Sequence, residues 1–230
     1  MSAQSIEVLY EDNHIIVVNK PCGLLVQGDR TGDESLDSLV KQYIKRAYNK
    51  PGEVFLGVVH RIDRPVSGVV LFARTGKALK RLNKAFADRQ VQKTYWAVVT
   101  KRPPVENDRL TDYLRKDQLK NKSKAFAKQV NHSKYCELTY NMLAGSDRYT
   151  LLKVNPKTGR HHQIRVQLAK IGCIIKGDLK YGAPRSNKDG GIHLHARQLK
   201  LEHPVRKEPM SFVAPAPKES LWQTFEQMVS

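Results

Sequence analysis

The chain has 230 residues, with 40 Lys and Arg against 22 Asp and Glu, a net charge of +18. Such an excess favours a polyanionic partner, nucleic acid before anionic membrane, and no apolar stretch approaches the roughly 20 residues a spanning helix needs. The N-terminal MSAQSIEVLYED has no basic region followed by an apolar one, so no signal peptide is expected. Three widely spaced cysteines, Cys22, Cys136 and Cys173, form neither a CxxC pair nor a disulfide framework, which points to a reducing cytoplasm.

In chain order, Glu7 to Tyr10 and Ile15 to Asn19 read as a hairpin around Glu11-Asp12-Asn13, ended by Pro21 and Gly23. Gln27-Gly28-Asp29-Arg30-Thr31-Gly32 reads as a turn, not a phosphate-cradling loop. Leu36, Leu39, Val40, Tyr43, Ile44 and Ala47 fall at helical spacing behind a Ser35 N-cap. Val54 to Val59 and Val69 to Ala73 are apolar enough for short strands. Leu79, Leu82, Ala85 and Phe86 mark a second amphipathic helix whose other face carries Lys77, Lys80, Arg81 and Lys84. Gln92 to Thr100 is a strand, and Tyr135 to Leu143 pairs with Tyr149 to Val154 around Gly145-Ser146-Asp147. A helix from His161 to Lys170, a strand from His193 to Leu201 and a closing helix from Leu221 to Met228 complete the pattern. Strands come as antiparallel neighbours rather than βαβ units, so the class is α+β and not a doubly wound sheet. Residues 115–134 hold seven Lys or Arg against Asp117. That run is either a solvated, mobile insertion or a phosphate-binding arm.

The chemistry concentrates in His60-Arg61-Ile62-Asp63-Arg64-Pro65-Val66-Ser67-Gly68. A single carboxylate, Asp63, stands between two arginines in a loop between the two apolar runs. Neighbouring positive charge keeps a carboxylate ionised, and a fixed, ionised carboxylate can act as nucleophile or base. The plainer reading of such an acid is a salt bridge at a strand end.

The whole segment HRIDRPVSGVVLF resembles the HRLDxxTSG signature of the RluA-type pseudouridine synthases. Further matches follow in order: Lys93-Thr94-Tyr95, Gly159-Arg160-His161-His162-Gln163-Ile164-Arg165, Gly177-Asp178-Leu179-Lys180-Tyr181-Gly182 and Leu194-His195-Ala196. The resemblance runs from about residue 6 to 225. The chain departs from the pattern at Ile62, Val66, His161 and Gln167. It implies one catalytic domain over 1–230 with the pseudouridine synthase fold: a mixed, mostly antiparallel sheet with flanking helices and a central cleft. The strand pattern begins by Ile6, so no accessory RNA-binding domain is expected before it, and the catalytic domain would supply its own RNA affinity.

Isomerising uridine breaks the C1′–N1 bond, turns the uracil and rejoins it through C5. No redox step or phosphate transfer occurs, so no cofactor or metal is expected. By resemblance Asp63 is the catalytic carboxylate, Arg165 the arginine that pairs with it, and Tyr95 the aromatic against the uracil; read without the family, Tyr95 is a core strand residue. Ile164 would floor the base. Arg61 would fill the space left by the flipped nucleotide or contact a phosphate. Arg64, His162, Gln163 and Lys93 join them as substrate-binding candidates. His161-His162 and His193-x-His195 lack the carboxylate or CxxC partners of a metal site, and Ser67 lacks a GxSxG elbow. The expected function is isomerisation of uridines in ribosomal or transfer RNA by a cytoplasmic monomer. A non-catalytic RNA-binding or RNA-chaperone protein on the same fold is the alternative. A metal-dependent nuclease would need clustered carboxylates, and Asp63 stands alone in its motif.

Overall fold

The computed structural model describes residues 6–29 and 31–229. Residues 1–5 of the stretch read for a signal peptide, and Arg30, lie outside them. Along the chain run β1 (Glu7–Glu11), β2 (Ile15–Lys20), α1 (Leu36–Ala47), β3 (Gly57–Val58), β4 (Ser67–Ala73), α2 (Gly76–Ala87), β5 (Gln92–Val99), β6 (Asn107–Asp117), β7 (Lys122–Phe126), β8 (Lys134–Gly145), β9 (Thr150–Pro156), α3 (Gln163–Lys170), a 3-10 turn (Leu179–Tyr181), β10 (Leu194–Glu202), β11 (Pro209–Val213) and α4 (Ser220–Val229). None of the helices described is long and apolar enough to cross a membrane.

The residues group into two compact units. The first runs to Gln92 and includes Ala196–Pro215; the second is Lys93–His195 with the segment from Ala216. In the first, strand order is β1-β2-β4-β10, with β11 on β10 and β3 on β4. β4 is buried along its whole length, which is why its run of Val69, Val70, Leu71 and Phe72 shows no alternation. Ile15, Val17, Val69 and Leu71 pack with Leu82 of α2 and Leu199 and Phe212 of β10–β11. Each fully buried side chain of this size contributes about 1.5–3 kcal/mol. Gly68 has φ +115°, and a Cβ there would lie 2.3 Å from the Ala196 carbonyl oxygen, so the close approach of β4 to β10 admits no side chain.

In the second unit the order is β5-β9-β8-β6-β7, antiparallel at every described pairing. One face of β5–β9 takes α4 through Trp96, Val98, Leu151, Trp222 and Phe225. The other face of β6–β8 takes α3, with Leu114 and Cys136 against Val166 and Tyr181.

The sequence pattern is followed closely at α1, α2, α4, β1–β2 and β8–β9, with four corrections. Only Gly57–Val58 of the 54–59 run is strand; Val54 and Leu56 are buried without pairing in a ladder. Ser35 stands at the N-cap of α1, but its hydroxyl donates to Asp37 Oδ1 (2.5 Å) rather than accepting a backbone N–H. α3 starts at Gln163, because His162 is left-handed (φ 54°) and cannot continue a helix. Residues 115–126 are not a structureless insertion. They end the β6–β7 hairpin, in register from Tyr113↔Phe126 to Asp117↔Lys122.

Candidate active site

The Asp63 loop belongs to the first unit, and Lys20 is what shapes it. Lys20 ends β2 with no exposed surface. Its ammonium donates to three carbonyls: Pro21 O (2.9 Å), Leu24 O (2.7 Å) and Arg64 O (3.1 Å). One cation thus ties the turn after β2 to the residue following Asp63. The return contacts are Gly23 N to Arg64 O (2.9 Å) and Arg64 Nε to Gly23 O (2.8 Å). Burial pulls the Lys20 ammonium down to about 7, while the nearby Cys22 and Asp63 oppose that shift. Ile62 and Val66 are buried on either side of Asp63, and Val66 N closes the turn on Asp63 O (3.0 Å). His60 accepts the Leu71 N–H at Nε2 (3.0 Å) and stacks on Phe86. The half-buried Asp63 side chain therefore leaves a loop laced at both ends, which is what a catalytic group held in one geometry requires. Of the flanking arginines, Arg64 reaches Asp33 (2.7 Å) at the surface, and exposed Arg61 reaches Gln27 Oε1 (3.3 Å).

The second unit carries Lys93 and Tyr95 on β5 and His162, Gln163, Ile164 and Arg165 around the start of α3. Asn155 donates to Lys93 O (3.2 Å) and Thr94 Oγ1 (2.8 Å), fixing the first residues of β5 beside the half-buried Tyr95. Burial holds the Lys93 ammonium below the ordinary lysine value. The buried Gln163 side chain accepts from Thr158 Oγ1 (2.7 Å) and Arg160 N (3.1 Å) and donates to Glu137 O (3.0 Å), which sets where α3 begins. Arg165, two residues on, is 5% exposed. Its Nε and Nη2 grip Asp178 (1% exposed) at 2.7 and 2.8 Å. Tyr181 lies against the guanidinium face (5.2 Å to the ring centre). Its hydroxyl accepts from Ser123 N (2.8 Å) and meets His162 Nδ1 (3.0 Å). A planar fork held along its edge by a carboxylate and across its face by a ring has little freedom left.

An RNA pseudouridylate synthase family model matches residues 14–170. The chain is 30% identical to the tRNA pseudouridine synthase C of Vibrio cholerae over 95% of this chain and 93% of that protein. It is 32% identical to the enzyme of the same name from Pectobacterium carotovorum over 91% of this chain, spanning 58% of that longer protein. It is 34% identical to the ribosomal large subunit pseudouridine synthase C of Buchnera aphidicola over 90% of this chain and 66% of that one. The solved human RNA pseudouridylate synthase domain containing 4 superimposes with a TM-score of 0.78 at 25% identity, covering 97% of this chain and 92% of its own.

The chain belongs to the RNA pseudouridylate synthase family, in its RluA type. It has the pseudouridine synthase fold, and its reaction is the isomerisation of uridine in RNA to pseudouridine.

Three residues of this synthase escaped the sequence reading of the site. Lys20 was not singled out, since the strand read from the sequence ends at Asn19, one residue before it. Asp178 and Tyr181 sat in a quoted motif without a role, yet together they hold Arg165. The signal available was the glycine pair around them. Gly177 has φ +85°, and a Cβ there would lie 2.6 Å from Asn187 Nδ2, a position fit only for glycine. Of the departures from the family pattern, Ile62 and Val66 are buried beside Asp63, and Gln167 donates to Asp112 Oδ2 (2.8 Å).

His162 gives a pH dependence. Burial, then the charge of Arg165 and neighbouring cations, pushes its imidazole down to about 2. The unfolded chain takes up a proton below about pH 6.5 that the folded one refuses, so stability falls as pH drops through that value. Well below that value the cost approaches about 1.4 kcal/mol per pH unit. His162→Gln is expected to flatten the acid limb of Tm between about pH 4.5 and 7. Parallel curves for variant and wild type would show that another group sets this limb.

Proposed function

We propose that Asp63, Tyr95 and Arg165 are the catalytic residues, acting on a uridine extruded from a stem-loop of transfer or ribosomal RNA. Asp63 acts at the C1′–N1 bond. Arg165 provides a fixed positive charge, held in place by Asp178 and Tyr181. Tyr95 lies against the freed uracil over the apolar floor of Ile164, while His162, Gln163 and Lys93 shape that floor. Arg61 and Arg64 hold the strand from which the nucleotide has flipped. Extrusion costs a few kcal/mol, least for bases already in loops. The observation that carries this reading is the Lys20 clamp, because a surface salt bridge needs no buried lysine ordering the turn around its acid. We further propose a cytoplasmic monomer whose two units work as one catalytic domain. Mapping pseudouridines in total RNA from a strain lacking this protein tests the substrate assignment. A lost modification in transfer or ribosomal RNA is expected, and an unaltered map of both would overturn it.

Affinity comes in part from the basic hairpin. Lys116, Lys120 and Lys128 are exposed along or just beyond β6–β7. Each lysine–phosphate contact adds about 0.7–0.9 to the slope of log affinity against log salt. Replacing all three by Gln is expected to lower that slope by about two and weaken binding to many RNAs alike, without changing which uridine is modified. Filter binding across a salt series measures it. An unaltered slope would make these lysines a solvated face.

A further inference from the structure

The solvent face of the outer three strands of the second unit carries a row of aromatic rings. Tyr113 of β6 sits directly across from Phe126 of β7 and from Tyr135 of β8. Tyr113 and Tyr135 meet edge to face, with ring centres 5.8 Å apart. The alternate residues Leu114 and Cys136 point the other way, into the contact with α3. The row therefore lies on the sheet face opposite Arg165. Tyr135 is 37% exposed, and Tyr113 and Phe126 are half-buried. Arg115 and Lys124, paired across β6 and β7, place their cations 5.2 and 5.4 Å from the Phe126 ring centre. Glu137, the acid beside Tyr135 on this face, is already neutralised by Arg109 (2.9 Å) and Lys157 (2.8 Å) and accepts the Tyr135 hydroxyl (2.8 Å). Asp117, at the far end of the hairpin, is a further acid on this side.

Cross-strand aromatic pairs stabilise sheets wherever they occur. Stability alone does not require that Tyr135 be left exposed and the other two rings only half-covered, with cations around them. Open rings at strand spacing, flanked by positive charge, are the features that bind single-stranded nucleic acid: bases stack on the rings, and cations take the phosphates. We propose that Tyr113, Phe126 and Tyr135 form a stacking platform for a single-stranded stretch of the RNA substrate outside the modified uridine, with Arg115 and Lys124 on its phosphates. The proposal rests on RNA being this enzyme's substrate. It names a second contact surface, on the face of the sheet away from the catalytic arginine.

The test measures binding of a short fluorescein-labelled oligouridylate and of an RNA duplex of equal length, by anisotropy, to wild type, Phe126→Leu and Tyr135→Leu. Each substitution is expected to weaken oligouridylate binding about fivefold or more, with duplex binding and single-turnover isomerisation at saturating RNA unchanged. Wild-type oligouridylate affinity in folded variants, or an equal loss on duplex, would overturn the platform. Should a variant fail to fold, photo-crosslinking of the wild-type protein to an oligouridylate carrying 5-iodouridine decides the question. Adducts at Phe126 or Tyr135 are expected, and adducts confined to other regions would overturn it. Loss of isomerisation by the wild-type enzyme would strike the catalytic reading instead, because the platform is read by binding alone.

Discussion

Asp63→Asn is expected to abolish turnover while leaving fold and RNA affinity intact. The substitution keeps the side chain's size and removes both its negative charge and its nucleophilic oxygen. Removal of a central catalytic group costs on the order of 10³ or more in rate. The loop itself should survive, since Lys20 keeps its three carbonyl acceptors and Ile62 and Val66 stay buried. Binding should be at least as tight as in the wild type, because one charge repelling phosphate is gone. Single-turnover rates at saturating RNA, with anisotropy for affinity and thermal unfolding for the fold, separate these effects. A variant that melts normally and still isomerises within tenfold of wild type would remove Asp63 from the chemistry.

The second large effect concerns the Arg165–Asp178 pair. Both partners are almost completely buried. Removing one partner of a buried pair costs about 3–5 kcal/mol, whereas replacing both by apolar groups is often neutral. Asp178→Leu alone is therefore expected to lower Tm by roughly 6–20 °C in a chain of this size. Adding Arg165→Met should restore most of that loss without restoring activity, because the guanidinium is the part the reaction uses. An Asp178→Leu protein that melts like wild type would mean that the pair does not hold this part of the fold. A double variant with normal turnover would remove Arg165 from the catalytic set.

What could be read from the sequence follows from how each part advertises itself. α1, α2 and α4 bury one stripe each, so helical spacing gave them away. β4 is buried on both faces and short, and its apolar run left little choice. The β6–β7 hairpin was hidden because its inward positions include Asp112 and Ser123, both buried through specific polar contacts. Arg115, Lys116, Lys122 and Lys124 crowd the end of the hairpin, so the alternation around Leu110 and Leu114 is too short to stand out. β11 starts at Pro209, which reads as a break rather than an edge strand. The start of α3 depends on one left-handed residue, His162, and on the Gln163 side chain binding backbone outside the helix. No periodicity carries that information.

At the site, Asp63 was conspicuous because charge and motif lie within a few consecutive residues. Arg165 was legible only through the family resemblance, and its carboxylate partner Asp178, thirteen residues on, was not legible at all. A bidentate pair across a turn leaves no local pattern. Lys20 was invisible for a similar reason. Its role lies in three main-chain carbonyls, and sequence reveals side chains rather than which carbonyls converge.

Forming the C5–C1′ bond of pseudouridine expels the hydrogen at C5 of uracil. Tritium release from RNA labelled at that carbon therefore counts turnovers directly. With total RNA from a strain lacking this protein as substrate, wild-type enzyme should release tritium to a plateau set by its target sites, and Asp63→Asn should release none above background. Release by Asp63→Asn at the wild-type rate, or no release by a folded, RNA-binding wild-type enzyme, would contradict the assignment.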